Sequence, residues 1–108
     1  VNFEEYCANI KLQYANMPVI IINERGFNAN ELCFDGNVPD DIVNRFGIKD
    51  EVESNRSRKV ATKVASTALV LSALMDQHGY KVVTMSKATR WNTYVMAKEA
   101  KAEEKTYA

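Results

Sequence analysis

One histidine, two cysteines, four glycines and two prolines are all that this chain of 108 residues holds of the types that most often carry chemistry or break regular structure. Each scarcity excludes something. With His78 alone, no Ser-His or Cys-His pair has an obvious anchor and no histidine cluster is available to a metal. Cys7 and Cys33 stand far apart with no C-x-x-C spacing, which favours two free thiols packed as small apolar groups over the single disulfide of a secreted protein. Gly26, Gly36, Gly47 and Gly79 are isolated, so neither G-x-G-x-x-G nor a phosphate-binding loop is written here. No run approaches the roughly 18 apolar residues of a membrane span. Fourteen basic residues against fourteen acidic ones give no net charge, so the long-range field that gathers nucleic acid or anionic membrane is missing, and neither partner is expected. The start, Val1-Asn2-Phe3-Glu4-Glu5, is acidic where a secretory signal is basic, and a cytoplasmic location is expected.

What is present suits a folded domain: 46% hydrophobic and 26% charged residues, at a length that can bury a core without staples. One domain over residues 1–108 is expected, with a helical extension over 1–16 and a tail over 100–108 rich in Lys, Glu and Ala. Phe3, Tyr6, Cys7, Ile10 and Tyr14 recur at helical steps, Asn2 can cap them, and Pro18 bars continuation through Met17. Val19-Ile20-Ile21-Ile22 is a short β-branched run that reads as a buried strand. A short strand follows at Leu32-Cys33-Phe34, with a turn at Asp35-Gly36. Pro39, Asp40 and Asp41 begin a short helix whose face is Ile42, Val43 and Phe46, and Gly47 ends it.

Lys49 to Lys63 admits two readings. Val60, Val64, Leu71 and Met75 fit one long helical stripe, whereas Val60, Thr62 and Val64 alternate as a strand that a second helix, capped by Ser66 or Thr67, would follow. The strand-then-helix reading is preferred, and Gly79 stops the helix in both. Tyr80 to Met85 and Trp91 to Met96 are strand-like, joined by the polar link Ser86 to Arg90.

Two places offer binding chemistry. Arg56 and Arg58, with Lys59 and Lys63, form a basic cluster that a phosphate-bearing ligand could use, although the neighbouring Asp50, Glu51 and Glu53 reduce its field. Met85, Ser86, Lys87, Arg90 and Trp91 combine cationic donors with a large rigid ring, the residue types that most often anchor an interface. His78 reads as a cation complementing a helix C-terminus. No catalytic set emerges, and the chain reads as a binding protein with no cofactor.

The stretch Gly79-Tyr80-Lys81-Val82-Val83-Thr84-Met85-Ser86 resembles the closing strand of the GTP cyclohydrolase I feedback regulatory protein family, Gly-Phe-Arg-Val-Leu-Ser-Met-Thr. Lys98-Glu99 falls where that family also has Lys-Glu. Met17-Pro18 before Val19 to Ile22 is similar to the family's Met-Pro start and first strand, and Asp40 to Gly47 is similar to its short acidic-start helix. The resemblance spans residues 17–99. It differs in the helix before Met17, in the basic segment Arg56 to Ala65, and in Lys87-Ala88-Thr89-Arg90-Trp91, which stands where the family has a glycine-rich turn.

This resemblance implies an α+β fold, a small antiparallel sheet with two or three helices packed on it, the family's own helices lying on one face. It also implies a homo-oligomer, a ring of five that docks on GTP cyclohydrolase I and passes on, allosterically, the effect of a small-molecule effector. The alternatives are a small-molecule or nucleotide-sequestering protein of the same fold, and a viral-type inhibitor of protein interactions.

Overall fold

The computed structural model describes residues 3–25, 31–53, 56–62, 66–87 and 91–99. In chain order these form α1 (Phe3–Gln13), β1 (Val19–Arg25), β2 (Glu31–Asp35), α2 (Asp40–Phe46), β3 (Lys49–Glu53), β4 (Arg56–Thr62), α3 (Thr67–His78), β5 (Lys81–Lys87) and β6 (Trp91–Ala97). The strands make one sheet in the order β3-β4-β2-β1-β6-β5, each antiparallel to its neighbours, so the fold is α+β. Among the described residues no helix is long and apolar enough to cross a membrane.

β1 explains the layering. Successive side chains of a strand point to opposite faces, so four branched apolar residues in a row demand cover on both. Ile20 and Ile22 face α2 and α3, in a core with Leu32, Phe34, Ile42, Val70, Leu74 and Met96. Ile21 faces the other way, against Cys7 and Ile10 of α1 and Val95 of β6. All three isoleucines are fully buried, which at about 1.5–3 kcal/mol apiece is the largest concentration of hydrophobic stabilisation in any strand. The extra N-terminal helix therefore covers the face that α2 and α3 leave open. Helices on a single face, as the family resemblance implies, would leave Ile21 and Val95 in water.

The segment that reads ambiguously in sequence is two strands and a helix. Ser66 accepts a hydrogen bond on its side chain from the Ala68 N–H at 3.1 Å, a cap that starts α3 afresh after β4. The strand-then-helix reading therefore holds for Val60 and Thr62, while Lys63 and Val64 lie outside the described residues. β3 escapes the sequence pattern because Lys-Asp-Glu-Val-Glu has nearly no strand propensity of its own. Cross-strand charge supplies the reason for it: Asp50 lies opposite Lys59 and Glu51 opposite Arg58.

Gly79 ends α3 at φ +74°, a left-handed cap whose N–H bonds back to Leu74 and Met75. Gly36 has a steric reason as well: at φ +115° a Cβ would stand 2.4 Å from the Val19 carbonyl oxygen. The proposed cap Asn2, the link 88–90 and the tail 100–108 lie outside the described residues. Both cysteines are free and buried. Burial, reinforced by the neighbouring Asp35 carboxylate, pushes the Cys7 thiol up to about 12, which keeps it neutral and unreactive at ordinary pH.

His78 has a partner beyond its own helix end. Its Nε2 lies 2.9 Å and 3.0 Å from the two carboxylate oxygens of Asp41, joining the last turn of α3 to the first turn of α2. That hydrogen bond holds the Asp41 carboxyl below its usual range. A carboxyl depressed on folding stabilises the fold above its unfolded value, near pH 4, and the contribution is lost as pH falls through the lower folded value. The urea midpoint of the wild type should accordingly fall more steeply below about pH 4 than that of Asp41→Asn, as followed by circular dichroism. Parallel acid limbs would mean the contact has no share in stability.

Candidate functional site

The central strands change character together at one end of the sheet. On the α1 face, successive cross-strand pairs of β1 and β6 run Ile21 with Val95, Asn23 with Thr93, and Arg25 with Trp91. On the opposite face they run Ile22 with Tyr94 and Glu24 with Asn92. An apolar layer thus gives way to a buried polar layer and then to a half-buried cation and an exposed aromatic ring. Glu31 of β2, Thr62 of β4 and Lys87 of β5 reach the same end, which the register places beside Arg25 and Asn92. β1, β4 and β5 finish at this end, and β2 and β6 begin there.

Hydrogen bonds fix the polar layer. The Thr93 hydroxyl donates to the Asn23 side-chain carbonyl at 3.2 Å, with both residues buried. On the other face the Glu24 carboxylate accepts from the Asn92 amide at 2.8 Å and from the Thr67 hydroxyl at the start of α3. The Tyr94 hydroxyl lies against the same carboxylate. Burial first, and then the charge of Glu24, raise its pKa. Glu24 therefore ties β1, β6 and α3 together where their loops begin.

Above this layer, Arg25 lies over the Cys33 sulfur at 3.7 Å and reaches Glu31 at 3.5 Å. Trp91, paired across the strands with Arg25, keeps 43% of its surface exposed. A core role is the commoner fate of a tryptophan at the start of a strand, but this one lies outside both hydrophobic clusters. From the sequence-derived set, Met85, Ser86, Lys87 and Trp91 all lie exposed on β5 and β6, Ser86 and Trp91 on the α1 face and Met85 and Lys87 on the opposite one. Ser86 also meets Tyr6 of α1, oxygen to oxygen at 3.4 Å. Arg90 lies outside the described residues.

Arg56 and Arg58 belong elsewhere. β2 pairs with β4 only over Lys59 to Thr62, so both arginines lie on a two-stranded ribbon that runs on past β2 at the opposite end. Three strand spacings across and four residues along the strand put Arg58 about 20 Å from Trp91. The two basic groups are separate surfaces. Lys59 bonds Asp50 at 3.2 Å, and Lys63 lies outside the described residues.

Sequence reasoning misses Arg25, Glu24 and Asn92, because β1 reads as ending at Ile22, where its apolar run stops. It also misses an open cleft of about 530 Å³ at the far end of β5, between Met17, His78, Lys81, Val83 and Lys98. The Lys98 ammonium lies 5.0 Å from the centre of the Tyr80 ring beside it.

No family model, no curated protein and no solved structure matches this chain. Chemically, the polar end offers hydrogen-bonding groups, a cation and an aromatic ring. On the α1 face its Trp-Arg pair offers a flat hydrophobic and cationic surface, while Lys87 stands on the opposite face.

Glu24 and Trp91 should separate by their roles. Glu24→Ala leaves the donors of Asn92 and Thr67 without their acceptor and should cost about 1–3 kcal/mol in urea unfolding. Trp91→Ala, at an exposed position, should stay within about 0.5 kcal/mol of wild type. A Trp91→Ala loss as large as that of Glu24→Ala would make the ring structural.

Proposed function

We propose that this chain is a non-catalytic regulatory binding protein, a homo-oligomer that docks on an enzyme of the GTP cyclohydrolase I type and answers to a small-molecule effector. The observation that carries the reading is the exposed Trp91 ring paired with Arg25 at the loop end of the sheet. Trp and Arg dominate the energetic centres of protein interfaces, because each contributes a large contact area from a rigid group. Glu24, Asn92, Asn23 and Thr93 fix the ends of the strands that present them, so little ordering is left to be done on docking.

The family resemblance supplies the kind of partner. Regulation by such a protein needs no reacting residue: an effector held at the contact shifts the enzyme between states by its difference in affinity for them. A cytoplasmic location fits this role and the two buried free thiols.

Co-elution with GTP cyclohydrolase I on size exclusion, with and without phenylalanine or tetrahydrobiopterin, is the direct test. Wild type should shift into the enzyme peak, and Trp91→Ala should weaken the complex at least tenfold while keeping its far-UV spectrum. An enzyme peak unchanged under all these conditions rejects the reading.

A second reading, sequestration of a small molecule, is favoured by the cleft at the far end of β5. Its volume of about 530 Å³ lies in the range of ligand sites. Lys81 and Lys98 offer positive charge there against the apolar surfaces of Met17 and Val83, which suits an anionic compound with an apolar body. Cyclic nucleotides and pterins should raise the melting temperature by mass action if this reading holds. Lys81→Ala together with Lys98→Ala should abolish that rise. No shift at millimolar ligand would set it aside.

A further inference from the structure

The two edge strands of the sheet differ in chemistry and match each other. β5 carries Lys81 and Lys87 and no acid, and it exposes Val82 at 40% and Met85 at 52%. β3 carries Asp50, Glu51 and Glu53 against a single Lys49, and Val52 is 77% exposed. An uncovered edge presents a row of backbone donors and acceptors that another strand can pair with. On β5 the register is broken between Val82 and Thr84 and runs regularly from Thr84 to Lys87.

We propose that the β5 edge of one copy of this chain pairs with the β3 edge of a second copy, head to tail. Strand parity permits it. Six strands, each antiparallel to the next, leave β3 and β5 running in opposite directions. A second copy set alongside with the same face up therefore continues the antiparallel pattern, and its α2 and α3 fall on the same side as those of the first.

Side-chain parity then fixes what meets. Asp50 lies opposite Lys59, which lies opposite Phe34 of the α2–α3 core, so Asp50 and Val52 lie on the α2–α3 face. Met85 lies opposite Tyr94 and Lys87 opposite Asn92, which places them on that face too. Seating Met85 against Val52 brings Lys87 against Asp50: two exposed apolar side chains cover each other and a lysine meets a carboxylate. The bond from Lys59 to Asp50 does not prevent this, because the Asp50 side chain stays 68% exposed.

Like edges fit worse. β5 against β5 offers neither of its lysines a carboxylate, and β3 against β3, centred on Glu51, sets that acid opposite itself. Like charges directly opposite are destabilising. A head-to-tail contact between unlike edges closes into a ring or runs on as an open filament.

The inference rests on the sheet edges and not on the regulator reading, so an oligomer that ignores GTP cyclohydrolase I would overturn that reading and leave this one standing. Light scattering coupled to size exclusion at tens of micromolar should show wild type as an oligomer. Val52→Lys and Met85→Lys, both at exposed positions, should each run as folded monomers. Mixed in equal amounts they should give a dimer and nothing larger, because one intact β5 edge then meets one intact β3 edge. Lys87→Asp should break the assembly, and adding Asp50→Lys to the same chain should restore it. A monomeric wild type, single variants that still assemble, or a mixture that stays monomeric would each overturn the proposal.

Discussion

A strand that sets branched apolar side chains at four successive positions has no face to give to water, and β1 is such a strand from Val19 to Ile22. The rest of the architecture follows from covering it twice. β2 and β6 flank it, α2 and α3 close over Ile20 and Ile22, and α1 closes over Ile21. Without α1, Val95 and Ile21 would be an exposed apolar stripe in the middle of the sheet. The helix is thus part of the core and not an appendage to a domain complete without it. Lys11 anchors its far end to Asp35 at 2.6 Å, on the same β2 strand that β1 pairs with.

Much of this is legible from the residues because local signals agree with the fold. The helical steps of Phe3 to Tyr14, the helix stop at Gly79 and the β-branched run of β1 need no tertiary information to be read. β3 is not legible, because its existence depends on partners: Asp50 and Glu51 gain their strand only from the basic residues opposite them on β4. The boundary between β4 and α3 is likewise decided by one cap, Ser66, in a stretch whose apolar residues satisfy both periods.

The candidate site divides in the same way. Met85 to Trp91 can be picked out because Lys, Arg and Trp cluster in one short stretch of chain. Arg25, Glu24 and Asn92 cannot, since nothing in sequence joins positions nearly 70 apart; only the register of β1 against β6 does so. Arg56 and Arg58 are different. Their basic character is plain in sequence, and the register of β4 puts them on a ribbon at the other end of the sheet, at positions opposite Glu53 and Glu51.

The ends and edges of one sheet therefore differ in chemistry, and the proposed roles divide between them. At the loop end, polar pairs inside β1 and β6 hold a rigid ring and a guanidinium at the surface, an arrangement suited to a partner with its own fixed shape. Along the edges, the opposed charges of β3 and β5 suit a partner with the same sheet. These roles are compatible because Trp91 lies on β6, one strand in from the β5 edge, and on the α1 face, whereas Met85 and Val52 lie on the α2–α3 face. An oligomer built through the edges would leave each Trp91 uncovered and repeat it at regular intervals. Repetition raises the effective concentration of each docking group, so a weak contact per subunit can add up to firm attachment on a target that is itself symmetric.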